Sequence, residues 1–345
     1  MGQISNTAGS NIRNGPSSPQ RQLLSVGLPA KTLPRLGAAL KKQWRKYRKE
    51  LKQCQEKFSP EAVHDSRVET RRLLSMVGLL SPFVGSGRAK KAQKVLKHHL
   101  DTFDALRDTQ VQLQTVRKMK SDFPGATVFC DSLRKREKML AHQTRKDVKN
   151  IKTKRLSKLI TGFRQDTKSQ AQKGPPEAAN VLLLRMLESA FVRAQRLRDK
   201  IDPETPKTIH CTRIAFKKFR YMLEILSTRV QPLDKKLLQA MHSYQTMMGD
   251  IQDAEVLLQA WHKFWDKKTI IPKSERAFGN ELLHRRKRLI GVYLNLADQL
   301  LDFCPEKATQ VRVEHSPAPR QRRQRGPEKH PPMPQFDLKA RKELQ

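Results

Sequence analysis

Three side chains of the stretch "VHDSRVETRRLL", His64, Arg67 and Arg71, are separated by steps of three and four residues. On an α-helix such steps fall on one stripe, within about 60° of one another. Arg72 sits at the edge of that stripe, where a long stem covers apolar surface while its head reaches water or a ligand. The same stripe returns in "HCTRIAFKKFRYMLEIL" as His210, Arg213, Lys217 and Arg220, with Lys218 at the edge. These residue types suit the gripping of oxyanions. Arg holds two phosphate oxygens in a planar fork, Lys supplies a compact charge, and His gains charge beside a polyanion. For one isolated basic helix, a solvated face is the plainer reading. Like charges at i,i+4 repel, however, and nothing structural obliges a second segment to repeat them.

The elements that present these stripes must be helices with an apolar opposite side. Val68, Leu73, Met76, Val77 and Leu80 supply it in the first segment, and Ile214, Phe219, Met222, Leu223 and Leu226 in the second. The two segments lie 146 residues apart, and "LRDTQVQL" from Leu106 returns as "IQDAEVLL" from Ile251 at a separation of 145. Two independent segments with nearly one offset indicate two homologous units, about 37–172 and 175–303, paired about a pseudo-two-fold. Periodicity predicts helices near 36–58, 60–80, 86–120, 124–168, 176–200, 203–229, 233–268 and 274–303. Ser59-Pro60 and Asp202-Pro203 read as helix starts, and "GPP" at Gly174 divides the halves. Asp108 and Asp253 would oppose an anionic ligand, so each is expected to pair with a base or cap a turn and hold the basic side chains in place.

Outside these units, residues 1–35 and 306–345 have the Gly, Ser, Pro and Arg-rich composition of disordered tails, leaving 36–305 as the folded domain. The chain carries 70 Lys and Arg against 33 Asp and Glu, a formal charge of +37 that calls for a polyanionic partner. Aromatic residues make up only 6%, too few for extensive base stacking. The four cysteines, Cys54, Cys130, Cys211 and Cys304, show no metal-ligand spacing and read as reduced thiols. No apolar run is long enough to span a bilayer, so the expected location is the cytoplasm with no membrane partner.

The paired segments, "VHDSRVETRRLL" with "ALRDTQVQL" and "IHCTRIAFKKFRYMLEIL" with "YQTMMGDIQDAEVLL", resemble the CHAD (conserved histidine alpha-helical domain) family over about residues 37–303. The resemblance implies an all-α fold of two pseudo-symmetric four-helix units around a basic central cavity that binds inorganic polyphosphate. It implies a ligand-facing role for His64, Arg67, Arg71, His210, Arg213, Lys217 and Arg220, with Arg72 and Lys218 at the next basic position. Lys97 and His242, each eleven residues before Asp108 or Asp253, fall where the family tends to carry a base. Two departures stand out: Leu74 where a further arginine is usual, and Asp104 where glycine is common. The ExExK signature of the triphosphate enzymes to which some members are fused is absent from this sequence, so the resemblance implies a non-catalytic binding module associated with polyphosphate granules.

Two rival readings come from the residues alone. Leu133 to Lys158 contains 11 Lys or Arg and, with the C-terminal tail, would suit nucleic-acid backbones. Glu61 with His64 and Glu281 with His284 have the Glu-x-x-His spacing of di-iron bundles, but such a site needs further glutamates on facing helices. No cofactor or metal is therefore expected, and the sequence names no protein partner.

Overall fold

The computed structural model describes residues 28–123, 126–229, 233–266 and 270–304. Nine α-helices occur among them: α1 (Thr32–Lys57), α2 (Pro60–Leu79), α3 (Ser86–Met119), α4 (Thr127–Lys149), α5 (Lys154–Lys173), α6 (Pro176–Arg198), α7 (Pro206–Arg229), α8 (Lys235–Trp265) and α9 (Lys273–Leu296). A short 3-10 turn follows α2, and a 3-10 segment, Ala297–Phe303, extends α9. The fold is all-α, as the 3.6-residue periodicity predicts. α1 begins inside the stretch assigned by composition to the N-terminal tail, while residues 1–27 and 305–345 lie outside the described residues.

The starts of α2 and α7 have local causes. The Ser59 hydroxyl accepts from the Ala62 amide at 3.2 Å and Pro60 opens α2, the N-cap arrangement expected there. Asp202 acts differently from its expected N-cap role. Its carboxylate accepts from the Glu204 amide and the Thr205 hydroxyl, at 3.0 and 2.6 Å, and so builds a turn that delays α7 to Pro206.

The stretch 124–168, expected as one helix, is two, α4 and α5. At the break, the Gln55 amide of α1 donates to the carbonyls of Val148 and Ile151, both at 3.0 Å, satisfying groups that the helix end leaves open. The first unit thus holds five helices, α1–α5, and the second four, α6–α9. α5 packs on α1 and α3 and has no counterpart.

Like packs on like between the units: α2 on α7, α3 on α8 and α1 on α6. The main core joins α1, α2, α5, α6 and α7 to the N-terminal halves of α3 and α8 and to the end of α9 with its 3-10 extension. A second core, with Trp261, Trp265, Phe129 and Phe278, joins the far ends of α3 and α8 to α4 and α9. α3 and α8 therefore run through both cores and form a rigid floor beneath the α2–α7 seam. No helix among the described residues is long and apolar enough to cross a membrane.

Candidate functional site

The seam between α2 and α7 brings the two basic stripes together. Lys217 experiences the charges of Arg71, Arg213, Arg220 and Arg67, which places all five cations in one cluster built from both helices. Burial first, and these four neighbours next, push the Lys217 ammonium down to about 7. Tyr221 supports the cluster: the Arg220 guanidinium lies 4.8 Å, and the Lys217 ammonium 5.8 Å, from its ring centre. Among the described residues, Arg71, Arg213 and Lys217 have no carboxylate within ion-pair distance.

The equivalent arginines Arg67 and Arg213 are held by different means. Arg67 is buried by α3, donating Nη1 to the Phe103 carbonyl at 3.1 Å and placing Nη2 3.4 Å from Asp104. Burial lowers its guanidinium to about 10, so it stays charged at neutral pH. In the second unit, Gly249 stands at the place of Asp104, and a Cβ there would meet Arg213 Nη2 at 3.1 Å. The glycine lets the Arg213 guanidinium lie against α8 with no acid in contact. Arg213 Nε and His210 Nδ1 are both buried without a protein partner among the described residues. Burial, then the charge of Arg213, lowers the His210 imidazole below its ordinary range, and a hydrogen bond that the ring donates to the Gln252 side chain opposes that shift.

Among the described residues Asp108 and Asp253 make neither the contact ion pair nor the turn-capping hydrogen bond expected of them, and nearby cations act on them only through space. The charges of Arg67, Arg107 and Arg136 act on Asp108, and those of Arg213 and Arg107 on Asp253, although partial burial prevails and raises both carboxyls. Arg107 was not a candidate from sequence. Its counterpart in the second unit is Gln252, so a search for repeated cations passes over it. Arg107 also lines a hollow of about 560 Å³ with Pro60, Arg117 and Lys118, which continues the basic surface toward the start of α2.

A family model for the CHAD domain matches residues 38–262, a span that contains both His-led helices and both Asp motifs. The chain belongs to the CHAD domain family. This CHAD domain is similar to the solved CHAD domain from the plant Ricinus communis, with 18% identity, 84% of this chain and 94% of that chain covered, and a TM-score of 0.52. It is also similar to PptA from Streptomyces chartreusis, with 16% identity, 79% and 99% covered, and a TM-score of 0.59. At such identities the likeness shows the fold. No curated protein matches the chain.

The remaining candidates of this CHAD domain occupy its margins. His64 is exposed one turn before Arg67 on α2, and Lys97 is exposed on α3. His242 is exposed on α8, where its charge, with those of Arg220 and Arg72, acts on Glu224. Arg220, the arginine that Leu74 replaces in the first unit, is buried, donating Nε to Gln245 at 2.9 Å and Nη1 to Glu224. Arg72 is exposed and bonded to Glu69. Lys218 departs from the group: it lines a hollow between α6 and α7, a third of a turn around α7 from the stripe. Ile214, assigned to the apolar side, is 55% exposed at that hollow's rim. Among the described residues, no three His, Cys, Asp or Glu side chains gather so as to hold a metal ion, the Glu61–His64 and Glu281–His284 pairs included.

Proposed function

We propose that this CHAD domain binds inorganic polyphosphate across the α2–α7 seam without catalysing a reaction, and that this binding directs it to polyphosphate granules. The observation that carries the reading is the meeting of Arg71 and Lys217, equivalent residues of the two units, beside Arg213 with no contacting carboxylate. Such a cluster is repulsive on its own and favours a ligand with closely spaced negative charges. Phosphate oxygens accept from the guanidinium forks and from the unpartnered Arg213 Nε and His210 Nδ1. Neutralising a polyanion also releases its condensed counterions, so affinity falls steeply with salt.

The test is titration with polyphosphate of defined chain length against Arg71→Glu, Arg213→Glu and Lys217→Glu. Each reversal is expected to weaken binding by at least about tenfold, or 1.4 kcal/mol; unchanged affinity in all three sinks the proposal. The exposed bases of α4, among them Lys135, Lys138, Lys146 and Lys149, favour nucleic acid as the second reading. Deleting residues 306–345 and reversing these four α4 charges to Glu separates the two, because nucleic-acid binding driven by the tail and α4 collapses while seam-driven polyphosphate binding persists.

A further inference from the structure

The hollow between α6 and α7 differs in chemistry from the seam. Met186, Ala190, Leu197, Cys211, Ile214 and Met222 give it an apolar lining of about 560 Å³, and Arg185, Arg193 and Lys218 stand around it. All three cations are exposed, and among the described residues none has a carboxylate in ion-pair range. A polyphosphate chain has no apolar surface to place on Ile214 or Met186.

The first unit shows what is missing. Lys218 corresponds to Arg72 and Ala215 to Glu69. In the first unit the buried Glu69 carboxylate accepts from both Gln43 and Arg72, so the chain completes that place with its own acid. In the second unit alanine supplies no acid to Lys218, and a hollow stands beside it. The lining follows α6 from Arg185 to Leu197 and α7 from Cys211 to Met222. At 1.5 Å per residue these runs extend roughly 18 and 16 Å, the length of about three helical turns. The small residues Ser189, Ala190, Cys211 and Ala215 allow a backbone to come close.

We propose that this hollow is a docking groove for a partner protein's amphipathic helix, whose apolar stripe is flanked by acidic residues. Apolar anchors at helical spacing fill the floor, and the partner's carboxylates take for Lys218, Arg185 and Arg193 the part that Glu69 plays for Arg72. A second copy of this chain is a poor occupant, because at +37 its helices present bases to bases.

Cys211 reports on occupancy directly. Cys54 and Cys130 are buried, so a full-length Cys304→Ser protein leaves Cys211 as the reactive thiol among the described cysteines. The probe is a synthetic peptide of about four helical turns with leucine at i, i+3, i+4 and i+7 flanked by glutamate. It is expected to bind by fluorescence anisotropy and to slow iodoacetamide labelling of Cys211 by about tenfold or more when bound. Met186→Asp, and separately Arg185→Glu with Arg193→Glu, should each weaken it by about tenfold. Arg71→Glu should bind the peptide as the wild type does, whether or not polyphosphate binding is lost, which keeps the groove and the seam separately testable. The proposal is overturned if a peptide with serine in place of leucine binds equally well, if the α6 variants bind unchanged, or if sodium oleate protects Cys211 while the peptide does not.

Discussion

Asp104 and Gly249 hold the same place in the two units, and each determines what the arginine beside it can do. Asp104 lies 3.4 Å from Arg67, whereas Gly249 leaves Arg213 against α8 with no contacting acid. Asp104→Gly should therefore free Arg67 and strengthen polyphosphate binding several-fold, and Gly249→Asp should give Arg213 an internal partner and weaken it by a similar factor. Calorimetric titration of both variants checks the pair; movement in the same direction would contradict the proposed division of roles.

Lys217 gives the binding a pH signature. Its folded-state pKa, near 7 instead of 10.5, means that the free protein sheds this proton as pH rises past neutrality. A bound polyanion restores the proton, so binding takes one up. The Lys217 contribution should make affinity decline above about pH 7, at fixed ionic strength. Lys217→Arg, whose guanidinium stays charged throughout, should flatten that decline.

His99 gives stability a different signature. Its Nδ1 lies 2.6 Å from the buried Tyr47 hydroxyl, and burial, followed by the charge of His98, lowers its pKa to about 4. Above 6.5 the neutral ring is at home in both states. As pH falls from 6.5 toward 4 the unfolded chain binds the proton and the folded chain does not, so stability is lost. Melting temperature measured across that window should fall more steeply for the wild type than for His99→Gln. His99 is thus a satisfied core histidine, in contrast to exposed His64.

Gly279 tests the second core. A Cβ there would overlap the ring of buried Trp261. Gly279→Ala should cost about 1–3 kcal/mol through overpacking. Gly291→Ala on the same helix meets nothing within 4 Å and should be neutral or stabilising by up to about 1 kcal/mol. Thermal melts of the two variants make the comparison.

The helical class, the repeat and the stripe of Arg67, Arg71, Arg213 and Lys217 were legible because periodicity and a constant offset are local properties of the chain. The break after Lys149 was not, because "NIKT" contains no glycine or proline and its open carbonyls are satisfied by Gln55, far away in sequence. The direction of Lys218 was not legible because its position at the edge of the stripe fits either side, and packing of α6 on α7 turns it toward the hollow. Arg107 escaped because pseudo-symmetry is a filter, and a residue contributed by one unit alone does not pass it.

The α2–α7 seam has a consequence for the protein as a folded object. Hydrophobic packing draws the two units together at the place where their like charges oppose one another, so the empty domain carries a repulsive joint. Lys217→Met should raise the melting temperature of the unliganded protein while weakening polyphosphate binding, the exchange of stability for function expected of a prepared site. Occupancy should reverse the balance, because a ligand that binds only the folded state stabilises it in proportion to its concentration over Kd. Polyphosphate would then act as a clasp closing the two halves, and the domain's resistance to heat would become a measure of how much polymer surrounds it.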